Sequence, residues 1–307
     1  MKRVLIATEK PFAPAAVESI QKVFKASGYQ ATMLENYTEK SALLEAVKTA
    51  EAIIIRSDKI DAEVIGAAPD LKIVVRAGAG YDNVDLAAAT AKGVVVMNTP
   101  GQNSNAVAEL ALGMMVFQAR GQFNGKPGTE LKEKTLGIHA YGWVGKNTAR
   151  IAKGFGMKVY GFDPYVENSK MEADGVTPVE SAEDLYSRCQ YISLNIPANA
   201  ETKQSIGAKL LGSMPKGATL VNTARKEVIH EEELLQVFAD RDDFRYLTDI
   251  APDCADALVE KYPGRYFATP KKMGAQTAEA NTNAGIAAAE QIVAFLEKGD
   301  ETYRVNR

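Results

Sequence analysis

Short runs of aliphatic and β-branched residues recur through the first hundred positions, at 4–7, 52–56, 72–76 and 94–97. None carries a regular polar face, so each reads as a strand covered on both sides in a parallel sheet. Between them, 15–26 and 41–47 are amphipathic at helical spacing. Strand–helix alternation of this kind predicts an α/β domain. The rhythm breaks at Asn98-Thr99-Pro100-Gly101-Gln102-Asn103, a turn-rich loop. A long helix is predicted over 104–120, with Val107, Leu110, Met114 and Phe117 three or four residues apart. It serves as a connector, and the glycine-rich polar stretch 121–133 reads as surface loop. A second alternating series then begins. Its strands are expected at 135–141, 158–162, 191–196, 218–222, 245–249 and 266–269, with helices including 144–156 and 231–239. Glu231, Glu232 and Glu233 suit the positive N-terminal end of the latter. The last predicted element is a helix over 278–298 whose apolar face is Ile286, Ala289, Val293 and Leu296, with Gly299 as its C-cap.

The 307 residues exceed one ordinary core and suit two domains. Hydrophobic residues make up 46% and charged residues 24%, which excludes disorder. A net charge of −3 argues against nucleic-acid or polybasic membrane partners, both of which need concentrated positive charge. No stretch approaches the ~18 apolar residues of a membrane helix, and the first apolar run is too short for a signal-peptide core. Cys189 and Cys254 make no disulfide framework, so a reducing, cytoplasmic setting is expected. Only His139 and His230 are present, and no metal site is expected.

The stretch Ala140-Tyr141-Gly142-Trp143-Val144-Gly145 follows a predicted strand and opens a helix, one glycine short of G-x-G-x-x-G. Gly142 allows close approach of backbone to a pyrophosphate, Gly145 allows close helix–sheet contact, and Ala140 is tolerable in the first position if its φ stays negative. Backbone N–H groups at the start of the helix would face the phosphates. Asp163 ends the next strand, eighteen residues beyond Gly145. An acid there accepts from the ribose hydroxyls and repels a 2′-phosphate, favouring NAD over NADP. The alternative is a packing turn of some other doubly wound protein, with Asp163 a solvated strand end.

Four motifs in order carry a family resemblance: Arg76-Ala77-Gly78-Ala79-Gly80-Tyr81-Asp82-Asn83-Val84-Asp85, then Asn98 to Asn103, then Val221-Asn222-Thr223-Ala224-Arg225, then Thr269-Pro270-Lys271-Lys272-Met273-Gly274-Ala275. With them the chain resembles the D-2-hydroxyacid dehydrogenase family over essentially its whole length, and within it the short D-3-phosphoglycerate dehydrogenases. The resemblance implies two Rossmann-like or flavodoxin-like parallel-sheet domains: a substrate domain of residues 1–103 plus 278–307 and an NAD domain of 104–277. It also implies a homodimer built largely through the NAD domains.

By resemblance Arg225 holds the substrate carboxylate and keto oxygen, and Thr223, Ala224 and Asp249 join Tyr141, Gly142, Trp143, Val144, Gly145 and Asp163 around the cofactor. Arg225 also stands at the carboxyl end of a predicted strand, where such folds place ligands, and its fork suits a carboxylate. The other use for it is a surface pair with Glu227. Arg56, Ser57, Arg76, Ala77, Gly78 and Asn103 match the substrate loops. Ser57 and the 78–80 backbone would donate hydrogen bonds, and Arg56 or Arg76 would meet a phosphate unless it pairs instead with Asp58 or Asp82. The chain departs from the family at the acid–base pair, because neither the usual histidine nor the usual glutamate is in place. Lys272 has the spacing to Gly274, and Lys271 the distance from Pro270; Lys272 is preferred. Burial and the Arg225 cation would favour its neutral form. Asp253 and Asp256 are the nearest acids in the segment that lacks the glutamate, and His139 and His230 are expected to be structural. The expected reaction is oxidation of D-3-phosphoglycerate at C2 with NAD, as in serine biosynthesis. Reduction of glyoxylate or hydroxypyruvate, or NAD sensing without catalysis, are the alternatives.

Overall fold

The computed structural model describes residues 1–306. It divides into two compact units, Met1–Asn103 with Gln276–Arg307, and Ser104–Ala275. Both are α/β with all-parallel sheets, as the alternation predicts.

The first unit runs β1 (Arg3–Thr8), α1 (Pro14–Ala26), β2 (Gln30–Glu35), α2 (Lys40–Ala46), β3 (Ala52–Ile55), α3 (Ala62–Ala67), β4 (Ile73–Arg76), α4 (Leu86–Ala91) and β5 (Val95–Asn98). Strand order is β2-β1-β3-β4-β5. All four residues of β3 are fully buried, because helices cover both faces of the sheet. Truncating one of them, as in Ile54→Ala, would cost about 2–5 kcal/mol. The sequence pattern passes over β2, an edge strand whose residues stay partly exposed and so carry no continuous apolar run.

The closing helix, Ala278–Lys298, belongs to this unit and ends on Gly299 at φ 68°. Its buried residues are Ala280, Ala284, Gly285, Ala288, Ala289 and Ile292; of the predicted stripe Ala289 is buried and Val293 and Leu296 pack against the same core, while Ile286 is only half-buried. Close approach to α1 selects small residues there. A Cβ on Gly285 would lie 2.6 Å from Ile20 Cδ1.

The second unit runs α5 (Ser104–Ala119), β6 (Thr135–His139), α6 (Trp143–Gly154), β7 (Lys158–Phe162), α7 (Asn168–Ala173), β8 (Thr177–Pro178), α8 (Ala182–Arg188), β9 (Tyr191–Leu194), α9 (Ala208–Ser213), β10 (Thr219–Asn222), α10 (Glu231–Asp240), β11 (Arg245–Thr248), α11 (Ala255–Lys261) and β12 (Tyr266–Ala268). The order β12-β11-β10-β9-β6-β7-β8 reverses direction between β6 and β9. That reversal opens a crevice at the strands' carboxyl ends. No helix among the described residues is long and apolar enough to cross a membrane.

Candidate functional site

At the crevice, β6 ends and the chain turns through Ala140 and Tyr141 into α6. Ala140 has φ +77°, so the negative angle expected for it is not what the turn adopts. Its N–H donates to Phe162 O at 2.9 Å, tying the turn to β7, and the turn keeps the left-handed geometry that a glycine there would take freely. Gly142 N-caps α6 with nothing within 4 Å of where a Cβ would stand. Gly145 is the opposite case: a Cβ would lie 2.3 Å from Ala140 O and 2.9 Å from Ile138 Cγ2. One glycine leaves space for an incoming group, and the other lets helix and turn touch.

Asp163 follows β7. Its Oδ2 accepts the Tyr141 N–H at 2.7 Å and its Oδ1 the Tyr165 N–H at 2.9 Å. The carboxylate therefore shapes the turn and keeps further acceptor capacity, since it offers about four lone-pair sites. The Tyr141 side chain is fully buried, and its hydroxyl donates to Asp174 Oδ2 at 3.0 Å. Burial and that partner raise its pKa. Trp143 is 61% exposed and Val144 partly so.

Two buried oxygens along this edge have no partner, Asn195 Oδ1 after β9 and Thr223 Oγ1 after β10. With the open Gly142 and the α6 N-terminus they fit a dinucleotide such as NAD. Asn195 escapes the sequence reading. Its signal was a polar residue closing an apolar run at a strand's carboxyl end.

Candidate residues also stand after three neighbouring strands: Arg225 after β10, Asp249 after β11 and Lys272 after β12. Two strand spacings put the outer two strand ends about 10 Å apart. Asn222 shapes the first loop, its Nδ2 donating to Arg225 O at 2.9 Å and its Oδ1 accepting from Ala224 N at 3.0 Å. Arg225 is exposed, makes one bond to its neighbour Ala224 O, and forms no ion pair with Glu227.

Asp249 is buried, and Thr269 Oγ1, Met273 N and Gly274 N all donate to it. Lys271 and Lys272 lie between those anchors and are exposed, so burial within the chain does not act on Lys272 as expected. Asp253 is ion-paired to Lys226, and the Glu231 carboxylate accepts the N–H groups of Asp253 and Cys254.

Both histidines have local partners. His139 Nδ1 lies 3.3 Å from Tyr186 Oη, and burial pushes its pKa down to about 4 against the opposing charge of Asp163. It lines a cavity of about 400 Å³ with Thr202, Gln204, Lys209 and Glu233. His230 N-caps α10, where its ring accepts the Glu233 N–H.

In the first unit, Arg56 and Ser57 follow β3, and Arg76 ends β4. Arg56 Nη1 donates to Lys10 O and Pro11 O at 3.3 Å, and its Nη2 donates to Asn281 Oδ1 at 2.7 Å. Its guanidinium also lies over Phe12, and burial lowers its pKa. Asp58 does not pair with that guanidinium. It is buried and accepts from Glu9 N, Arg56 N and the Tyr37 hydroxyl, which fixes the loops after β1 and β3. Ser57 is exposed. Arg76 Nε donates to Arg56 O at 3.0 Å, and its guanidinium crosses Gly78, where a Cβ would lie 1.5 Å from Nη1. Gly78, at φ +149°, is there because that arginine needs the space. Ala77 is buried, and Asn103 is half-buried at the end of the loop after β5.

A solved structure of this shape is the NAD⁺-bound 3-phosphoglycerate dehydrogenase of Entamoeba histolytica. It is 45% identical, with a TM-score of 0.86 over 100% of this chain and 99% of that one. The D-3-phosphoglycerate dehydrogenase of Methanocaldococcus jannaschii is 35% identical over 279 residues, 84% of this chain; the chain spans about half (52%) of that relative's length. The hydroxypyruvate reductase of Thermotoga maritima is 34% identical over 281 residues, covering 86% of this chain and 90% of that one. The catalytic-domain model of the D-isomer specific 2-hydroxyacid dehydrogenases matches residues 4–306, and with these relatives it establishes that the chain belongs to that family.

Proposed function

We propose that the chain oxidises D-3-phosphoglycerate to 3-phosphohydroxypyruvate with NAD. The observation that carries this is 45% identity across the whole chain to an NAD⁺-bound 3-phosphoglycerate dehydrogenase. In this reading the second unit, Ser104–Ala275, is the core of the NAD domain, and the first unit binds substrate. NAD held there would supply the hydride acceptor for C2. The N–H groups at the start of α6 and Gly142 hold its phosphates, Asp163 accepts from the ribose hydroxyls, and Asn195 and Thr223 gain partners. Arg225 grips the substrate carboxylate in a bidentate manner, for which its exposure leaves it ready. Lys272 removes the proton of the C2 hydroxyl during oxidation and returns it in reduction. Arg76 and Asn103, with the backbone at Gly78, meet the phosphate end.

The test is NADH formation from D-3-phosphoglycerate, followed in Lys272→Ala and Lys272→Arg. Alanine should lose most of kcat while still binding NADH, and oxidation by the native chain should quicken toward alkaline pH. Arginine keeps the charge but holds its proton in this range, so near-normal turnover of Lys272→Arg would remove the proton-transfer role.

Reduction of hydroxypyruvate is the second reading. The Thermotoga maritima relative favours it, as does Arg56, whose guanidinium is already bound inside its own unit. Relative kcat/KM for the phosphorylated and unphosphorylated acids separates the two. We also infer a cytoplasmic homodimer, supported by the exposed Phe123 packed edge-on against Phe117 in the second unit and by two free thiols.

A further inference from the structure

Asp249 lies where the family resemblance puts a residue of the nicotinamide side, yet its carboxylate faces its own polypeptide. Only 1% of the residue is exposed. Oδ1 accepts from Thr269 Oγ1 at 2.9 Å and from Met273 N at 2.8 Å, and Oδ2 accepts from Gly274 N at 2.8 Å. All three donors come from one segment, on either side of the arc Pro270-Lys271-Lys272. One buried charge thus closes both ends of an exposed three-residue loop. Charge-assisted bonds of this length are the stronger kind. Gly274 is part of the fitting, since a Cβ there would lie 2.8 Å from Asp249 Oδ2 and 3.4 Å from Val107 Cγ2. Asp249 is in turn held to β10, its own N–H donating to Asn222 O at 3.1 Å, and Asn222 shapes the Arg225 loop. One chain of hydrogen bonds therefore runs from the arginine loop to the lysine arc. The arc has no regular secondary structure, Thr269 Oγ1 also reaches Lys271 O inside it at 2.9 Å, and a proton-transferring group must stay within hydrogen-bond reach of its substrate.

We propose that Asp249 is a positioning residue, a clamp that sets where the lysine arc presents Lys272. This rests on the reading of Lys272 as the proton-transferring group. Asp249→Asn keeps the size but leaves one acceptor oxygen, and turns an NH₂ toward a backbone N–H. Thr269→Val removes the hydroxyl whose single proton is shared among Asp249 Oδ1, Asp249 O and Lys271 O, and leaves the carboxylate and its two backbone donors intact. Amide hydrogen exchange at Met273 and Gly274 should quicken at least about tenfold in Asp249→Asn, and by less in Thr269→Val. In the same order kcat for oxidation should fall, by about 10–100-fold in Asp249→Asn, with KM for the 2-hydroxy acid changed less than about threefold. The Kd for NADH, read from quenching of Trp143, should stay within about threefold of the native value in both variants.

Unchanged exchange at the two amides overturns the clamp. A weaker Kd for NADH with kcat preserved at saturating cofactor also overturns it, and assigns the carboxylate to the nicotinamide. If Asp249→Asn does not fold, Thr269→Val still decides: native kcat and native exchange in that variant refute the proposal. Failure of the native chain to oxidise any 2-hydroxy acid would instead sink the functional reading, and the positioning role with it, while the exchange data still report on the loop alone.

Discussion

Replacing Ala140 by glycine should stabilise the second unit. At φ +77° the alanine Cβ crowds the following carbonyl, a cost of about 1–2 kcal/mol that glycine does not incur. Glycine gives back about 0.5–1 kcal/mol through the greater freedom of the unfolded chain. The difference is a net gain of about 0.5–1 kcal/mol. For a unit of this size that is roughly 1–4 °C in Tm. Thermal and urea unfolding followed by Trp143 fluorescence would read it, because that residue, the only tryptophan, sits in the same turn. Ala239→Gly provides the contrast: an exposed alanine in the last turn of α10, where the same change should cost up to about 0.5–1 kcal/mol. The two substitutions should therefore move stability in opposite directions. Equal destabilisation by both would show that the left-handed turn carries no strain, and that the missing first glycine has been accommodated without cost.

Asp163→Asn should narrow the preference for NAD over NADP by removing the charge while keeping an oxygen for the Tyr141 N–H; an unchanged ratio of kcat/KM for the two cofactors would separate Asp163 from the ribose. Arg76→Ala should weaken D-3-phosphoglycerate by at least about tenfold more than an unphosphorylated acid in kcat/KM. Arg56→Ala should affect both acids alike and also lower Tm, since it removes the bonds to Lys10, Pro11 and Asn281. His139 is held near pKa 4 against an unfolded value near 6.5, so the unfolded chain binds the extra proton first as pH falls. Its contribution, up to about 3 kcal/mol, is present above pH 6.5 and lost between there and pH 4; His139→Gln should flatten that slope in unfolding measured across this range.

The strand–helix alternation and most strand positions were legible along the chain, because period and turn chemistry are local properties, whereas the candidate lysines and the Arg225 motif came from the family resemblance. So was the closing helix, 278–298, with its Gly299 cap. Its buried face was legible only in part, through Ala289, since Ala284, Ala288 and Gly285 are chosen by how closely α1 approaches, a distance no helical period encodes. The edge strand β2 was invisible for a related reason, having only one neighbour and no second covered face. In the site, residue types pointed to Arg56 and Arg76 equally. Only folding brought Asn281 and the loop after β1 onto one of them and laid the other across Gly78. Ala140 reads as a mild substitution in sequence and proves to be a left-handed residue, because the turn must bring its N–H to Phe162. Asp249 carried no local sign that it would reach twenty residues ahead to Thr269 and beyond. Buried carboxylates must find donors, and which donors are in range is decided by the neighbouring strand.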